Sequence, residues 1–181
     1  MTTSEYLQTP ETVLPRELAF GVLRVAEAPT IFHQRTVRDL LIALTAFVDA
    51  RRLGEVLPAP VDVILDSQAA LIMQPDLLFV AEERSEIVGD RIVGAPDLVV
   101  EVLSPHSRIG STEERIGWFA RYGVRECWLV DLSRRQIAVL TFEDGTIAGR
   151  TLVSGVQTIP STVLPDFTLT PSGIFGWAWA R

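Results

Sequence analysis

Lysine is absent from this 181-residue sequence, and all 16 of its basic residues are arginine. A chain without lysine cannot form a Schiff base through a side-chain amine, use a catalytic lysine, or hold phosphates with the lysine of a P-loop. Arginine supplies the same positive charge, but it is a poor proton donor or acceptor because its pKa exceeds about 12. A fixed positive side-chain charge therefore has to come from arginine.

The sequence also has only one cysteine, no long apolar run and no excess of positive charge. The single cysteine, Cys127, and an N-terminus without a basic segment followed by an apolar stretch predict a cytoplasmic protein with no disulfide. No apolar run approaches the ~20 residues that span a bilayer, so no membrane association is expected. The net charge of -7 is unfavourable for a protein that embraces a phosphate backbone, although local patches matter more than totals.

The apolar pattern predicts a single α/β (α+β) domain over residues 1–181, with a central mixed β-sheet flanked by helices. One helix is expected over residues 33–52 and a second over 111–122, where Ser111 and Glu114 have the spacing of a capping box. The first ~30 residues are expected to form an extended lead-in and one strand, and the part after residue 142 short strands and loops. Further strands are predicted over residues 61–65, 76–80, 97–103, 126–131 and 136–142.

One carboxylate, Glu101, interrupts the apolar run of residues 95–105, which reads APDLVVEVLSP. Such a run is typical of a strand covered on both faces, where an ionised carboxylate is costly unless it is paired with an arginine or a metal ion. Asp97 shares a strand face with Glu101 but stands roughly 13 Å away, whereas Asp76 comes within reach if its strand pairs alongside at about 4.8 Å. Two carboxylates that converge in this way suit a hard cation such as Mg²⁺.

Three motifs together resemble the Uma2 family, also called DUF820. They are Pro75-Asp76, the run PDLVVEVLSP that contains Glu101, and, after the second predicted helix, GVRECWLVD over residues 123–131. The family is assigned to the endonucleases of the restriction-endonuclease-like PD-(D/E)xK superfamily, and the resemblance extends over about residues 16–170. It implies a restriction-endonuclease-like core, a metal-dependent phosphodiesterase activity and a homodimer.

The resemblance also implies a set of metal ligands. Asp76 matches the motif aspartate and Glu101 the second acidic residue, so both are expected to bind Mg²⁺ or Mn²⁺. The backbone carbonyl of Val102 is expected to be a further ligand. Glu17, in the segment RELAFG, matches an acidic residue near the start of family members and is expected to be a third acidic ligand; a solvated surface position is the alternative.

The lysine that the superfamily places two residues after the second acid is replaced here by Leu103. In this family a lysine often lies instead on the following helix, and the matching position is Arg115. Residues 111, 115, 118 and 122 recur at three and four, so Arg115 can point back at the sheet and Glu101. It would then stabilise charge in the transition state without transferring a proton, or form a plain structural ion pair with Glu101.

His33 and Gln34 open the first predicted helix, as family members often do, and either is expected to contact substrate. The two histidines, His33 and His106, offer no zinc cluster of credible spacing. Trp177 and Trp179, near the end of the chain, are compatible with a subunit contact or with covering a sheet edge.

Three functions follow as hypotheses. The leading one is an endonuclease that depends on Mg²⁺ or Mn²⁺ and hydrolyses phosphodiester bonds of DNA, with Asp76, Glu101 and Arg115 as catalytic residues. The alternative is a catalytically degenerate binding or assembly module that keeps the nuclease fold, which the missing lysine and the acidic net charge favour. A small-molecule hydrolase built on the same carboxylates is the third.

Overall fold

The computed structural model describes residues 1–10, 14–103 and 111–176. His106, Trp177, Trp179 and the last two residues of the PDLVVEVLSP motif lie outside this part of the chain. In chain order its helices and strands are α1 (Thr3–Leu7), β1 (Arg16–Ala19), β2 (Val22–Val25), α2 (Ile31–Arg51), β3 (Gly54–Pro58), β4 (Val63–Asp66), β5 (Leu71–Met73), β6 (Leu77–Ala81), β7 (Ile92–Val93), β8 (Leu98–Leu103), α3 (Thr112–Arg121), β9 (Glu126–Asp131), β10 (Gln136–Glu143), β11 (Thr146–Ser154) and α4 (Pro171–Phe175).

The strands form two sheets, of which the larger has the order β11-β10-β9-β8-β6-β3. In this sheet β8 and β9 are parallel and the other neighbouring pairs are antiparallel. The smaller sheet has the order β2-β1-β5-β4-β7, and its β4 and β7 are parallel. The expectation of an α+β protein with a mixed sheet is therefore confirmed.

The central strands of the larger sheet are buried on both faces, as β8 illustrates. Because side chains alternate along a strand, Val100 and Val102 face the apolar cluster that includes one side of α2, whereas Val99 faces the cluster that includes Phe119 of α3. The apolar run in the sequence correctly predicts a strand covered on both sides. Glu101 lies two residues after Val99, so its side chain is directed to the α3 side.

The two longer helices begin close to the positions expected from the sequence. The side chain of Thr30 caps α2 by accepting a hydrogen bond from the backbone N–H of His33 (3.2 Å). At α3 the predicted capping box is present: Ser111 Oγ accepts from the Glu114 N–H (3.2 Å), and the Glu114 carboxylate accepts from the Ser111 N–H (2.9 Å). Within the described residues, no helix combines the length and apolar character needed to cross a membrane.

Residues 16–25 differ from the expectation of one strand, because they form the hairpin of β1 and β2. The chain turns at Phe20 and Gly21, both of which have positive φ (49° and 82°). Apolar residues continue through this turn, so the sequence pattern does not reveal it. The extended lead-in is also wrong in part, since residues 3–7 form α1 behind a capping box of Thr2 and Glu5.

The part after residue 142 contains longer structure than the short strands and loops that were expected. β11 has nine residues and pairs with β10 along its length, and the five-residue α4 follows later. Most side chains of β11 are exposed, so the strand lacks the apolar alternation by which a half-buried strand is predicted.

Candidate active site

Asp76, the residue before β6, and Glu101 of β8 lie at the end of the β6–β8 pairing in the larger sheet. β6 and β8 are antiparallel, with Leu77 paired to Val100, and Asp76 and Glu101 are the next residues along the two strands. Asp76 Oδ2 accepts a hydrogen bond from the backbone N–H of Val102 (2.7 Å). The carboxylate thus accepts a hydrogen bond that a backbone carbonyl would accept if the pairing of β6 with β8 continued.

Arg115 reaches Glu101 from the first half of α3, on the face that packs against the sheet. Its guanidinium donates to Glu101 Oε1 through Nε (3.2 Å) and through a second, short hydrogen bond from a terminal nitrogen. The other terminal nitrogen donates a short hydrogen bond to Glu17 Oε2. The side chains of Glu17, Arg115 and Glu101 are only 4–6% exposed, so the triad is enclosed in protein.

Burial by itself would lower the pKa of Arg115, but the negative charges of Glu101 and Glu17, followed by their hydrogen bonds, raise the pKa of the guanidinium above its usual value. Arg115 is therefore permanently charged in the folded protein. It can stabilise negative charge, and it cannot act as an acid or a base near neutral pH.

Glu17 reaches the site from β1, and both of its carboxylate oxygens accept hydrogen bonds from the protein. Oε2 accepts from Arg115, and Oε1 accepts from the backbone N–H of Gln74 (2.7 Å). At 3% exposure Glu17 is buried, which is at odds with the solvated position considered from the sequence. Glu17 therefore binds one terminal nitrogen of the Arg115 guanidinium while Glu101 binds the other.

His33 contacts Asp76, whereas its neighbour Gln34 is exposed to solvent. His33 Nε2 lies 3.2 Å from Asp76 Oδ2, at the first turn of α2. Because a carboxylate oxygen accepts, this hydrogen bond has Nε2 as its donor. Gln34 is exposed on the same turn, so only the histidine of the pair lies inside the site.

Within the described residues, the site offers hard oxygen ligands and more carboxylates than guanidinium groups. The carboxylates of Glu17 and Glu101 contact the guanidinium of Arg115, and the carboxylate of Asp76 contacts His33. Asp76 is the most accessible of the three carboxylates, with a side chain that is 20% exposed. Among the three, Asp76 therefore lies at the end of the site nearest to solvent.

The donors fit Mg²⁺ or Mn²⁺ better than they fit zinc. Over the described residues, no group of three or more His, Cys, Asp or Glu side chains is arranged to hold a metal ion. Zinc sites need three or four such side chains, whereas Mg²⁺ is commonly held by one or two carboxylates and keeps several waters. Two carboxylates are therefore too few for a zinc site but would be enough for Mg²⁺ or Mn²⁺.

Sequence reasoning missed one contributor to the site, Gln74, and one buried residue near it, Thr36. Gln74 acts through its backbone N–H, and its side chain also donates to Asp62 (2.9 Å) and accepts from the Arg16 N–H (3.3 Å). Thr36, one turn after His33, is fully buried. Neither carries a signal in the sequence, because a backbone donor has no residue preference and a buried threonine looks like an ordinary helix residue.

Asp97, by contrast, does not take part in the site. It lies at the start of β8, where it is fully buried. It accepts hydrogen bonds from the Ala81 N–H (2.9 Å), Arg84 (3.0 Å) and Arg125 (3.2 Å). Its contacts connect the beginning of β8 to the end of β6. These hydrogen bonds account for the burial of Asp97 as a structural residue.

The architecture is that of a nuclease-like α+β fold. A similar solved structure is that of "a putative nuclease belonging to DUF820" from Anabaena variabilis, with a TM-score of 0.84, 17% sequence identity and coverage of 98% of each chain. At this identity the likeness shows the fold.

The chain belongs to the Uma2 family, described as "Putative restriction endonuclease", whose family model matches residues 3–172. The resemblance seen in the motifs is therefore confirmed. Membership supports a nuclease-like function, a nucleic-acid substrate and a requirement for a divalent metal. Among curated proteins, none matches the chain significantly.

Proposed function

We propose that the protein is an endonuclease that depends on Mg²⁺ or Mn²⁺ and hydrolyses phosphodiester bonds of DNA. The observation that carries this proposal is the position of Asp76, just before β6, next to Glu101 of β8, in a site where the carboxylates of the described residues outnumber their one guanidinium. A divalent cation balances this charge, and family membership points to the same chemistry.

Asp76 and Glu101 would hold the cation with their carboxylates, and the backbone carbonyl of Val102 would complete the protein ligands. When bound, such an ion polarises a phosphate oxygen and lowers the pKa of a coordinated water. Glu17 serves to hold Arg115, since both of its oxygens already accept hydrogen bonds from protein donors.

Arg115 contributes fixed positive charge near the scissile phosphate. It takes over the electrostatic role of the missing lysine. Water carries out the proton transfers, because the guanidinium does not titrate. His33 orients Asp76 through the Nε2 hydrogen bond. Gln34, exposed one residue further on, would contact the DNA backbone.

The protein acts as a homodimer in this proposal. β2 is the edge strand of the smaller sheet, and on the β1–β2 hairpin Phe20, Val22, Leu23 and Val25 are 41–57% exposed. An apolar edge strand of this kind is normally covered. Sedimentation equilibrium at micromolar concentration tests the subunit state, and a monomer mass would overturn it.

Nicking of supercoiled plasmid DNA tests the activity. Wild-type protein is expected to nick DNA with Mg²⁺ or Mn²⁺ and not with EDTA. Asp76→Asn and Glu101→Gln are each expected to slow the rate by about 100-fold or more, because metal binding contributes several kcal/mol to transition-state stabilisation. The matched control is Asp144→Asn, a change of an exposed aspartate at the turn between β10 and β11. Equal activity of the wild type and both site variants would refute the proposal.

A second candidate, a non-catalytic binding or assembly module, is favoured by one specific observation. The guanidinium of Arg115 lies between Glu17 and Glu101 and already neutralises part of their charge. Calorimetric titration with Mn²⁺ separates the two functions. Binding that is lost in Asp76→Asn supports the nuclease, and no binding at millimolar Mn²⁺ supports the module.

A further inference from the structure

Two buried polar atoms on α2 lack a hydrogen-bond partner. They are His33 Nδ1 and Thr36 Oγ1, and over the described residues no other buried side-chain nitrogen or oxygen is in this position. His33 is 6% exposed and Thr36 is completely buried. Because buried polar groups are almost always satisfied by protein or by ordered water, two such atoms three residues apart on one helix indicate a bound polar group.

The two residues are neighbours on the surface of the helix. Positions three apart on an α-helix place their Cβ atoms about 5–6 Å from each other. No direct hydrogen bond joins the two side chains. One water molecule can bridge polar atoms carried at this helical spacing, and a water buried in a protein typically makes two to four hydrogen bonds.

The hydrogen bond at the other ring nitrogen sets which group donates and which accepts. His33 Nε2 faces the acceptor Asp76 Oδ2 at 3.2 Å, so Nε2 carries the proton in the neutral ring and Nδ1 is an acceptor. A water can donate to Nδ1 and at the same time accept from the hydroxyl of Thr36. The Thr36 hydroxyl then has an acceptor and His33 Nδ1 has a donor.

We propose that a buried water bridges His33 Nδ1 and Thr36 Oγ1, and that Thr36 is thereby a positioning residue for the candidate active site. The bridge keeps His33 in the tautomer whose Nε2–H is directed at Asp76. Asp76 in turn accepts from the Val102 N–H at 2.7 Å, so the line of hydrogen bonds runs from α2 to the end of β8. The value of this line to catalysis rests on the proposed function, but the water site itself does not.

Imidazole ¹⁵N NMR of the metal-free protein tests the water site at about pH 8.5, above the usual titration range of histidine. The chain has two histidines, and His106→Gln assigns the signals of His33 without ambiguity. In the wild type we expect a protonated Nε2 and a hydrogen-bonded, unprotonated Nδ1. Thr36→Val removes the hydroxyl at nearly constant shape, and it should move the Nδ1 signal or give a mixture of tautomers. Thr36→Ser keeps the hydroxyl and should retain the wild-type signals.

Two results would overturn the proposal. One is a set of imidazole signals in Thr36→Val identical to those of the wild type, and the other is an Nδ1–H tautomer in the wild type. A high-resolution crystal structure of the wild-type protein gives a second test that needs no variant: density for a water within hydrogen-bond distance of both atoms is required.

Calorimetry with Mn²⁺ connects the water site to the metal site. Residues that orient a metal ligand typically change metal affinity by 10- to 100-fold when they are replaced. We therefore expect Thr36→Val to weaken Mn²⁺ binding by about 10-fold and Thr36→Ser to leave it unchanged. If the NMR results are as expected but the wild type binds no Mn²⁺, the proposed function fails and the water site stands. If the wild type binds Mn²⁺ but Thr36→Val changes neither the imidazole signals nor the Mn²⁺ affinity, the water site fails and the proposed function stands.

Discussion

Replacing Arg115 with methionine should destabilise the protein strongly, because the guanidinium lies between two buried carboxylates. Methionine preserves much of the apolar length of arginine but removes the charge that Glu17 and Glu101 share. At an effective dielectric constant near 20, opposite unit charges about 4 Å apart interact by about 4 kcal/mol, and removing one partner of a buried ion pair costs about 3–5 kcal/mol. We expect a loss of this size in the free energy of unfolding of Arg115→Met.

Urea denaturation at neutral pH measures this loss. Trp128 is completely buried in the larger sheet, so tryptophan fluorescence reports on the unfolding of that core. With a slope near 2 kcal/mol per molar urea, the expected loss lowers the midpoint by about 2 M. The matched control is Arg38→Met: Arg38 pairs with Asp39 on α2, but its side chain is 59% exposed, so its removal should cost less than about 1 kcal/mol.

A triple variant separates lost charge pairing from lost packing. When a buried ion triad is replaced as a whole by well-packed apolar side chains of similar volume, stability often changes little. Adding Glu17→Met and Glu101→Met to Arg115→Met should therefore recover most of the loss. The reasoning is refuted if Arg115→Met is no less stable than Arg38→Met, or if the triple variant is as unstable as Arg115→Met.

Three other changes test local features of the fold. A hydrogen bond from the backbone N–H of the N-cap residue holds the pKa of Glu114 below its usual value of 4.5, so its contribution is present above about pH 4.5 and lost as pH falls through the lowered pKa. Glu114→Gln should lower the urea midpoint at about pH 7 and not at about pH 2, and an equal loss at both would contradict this. Tyr6→Phe removes the 2.9 Å hydrogen bond to Asp62 and should cost about 1–2 kcal/mol in the same assay; an unchanged midpoint would show that this bond adds nothing. At Gly54 (φ +145°) a Cβ would lie 2.0 Å from a backbone oxygen of β6, so Gly54→Ala should cost about 3 kcal/mol or more, against about 1 for Gly155→Ala, where φ is +56° and no atom lies within 4 Å; equal losses would refute the steric explanation.

Much of the local structure was predictable because its signals lie within a few residues of each other. The capping box of Ser111 and Glu114 marks the start of α3, and both of its hydrogen bonds are present. The apolar run of β8 indicated burial on both faces, and the polar residue inside it indicated that Glu101 needs a partner. The hairpin of β1 and β2 was not predictable, because its turn at Phe20 carries an apolar residue in a left-handed conformation.

By itself, the sequence determined the helices α2 and α3, the buried strand β8, the family, and the fact that any fixed cation near Glu101 is arginine. Only the tertiary structure decided what surrounds that cation. Arg115 and Glu17 are 98 residues apart, and they meet because β1 pairs with β5 while α3 packs on the larger sheet. Periodicity shows which face of an element is buried, but the covering partner depends on long-range pairing that no local pattern encodes. For the same reason Glu17, which by sequence was equally compatible with a ligand and a surface residue, is buried against Arg115, and His33 contacts Asp76 while Gln34 is exposed.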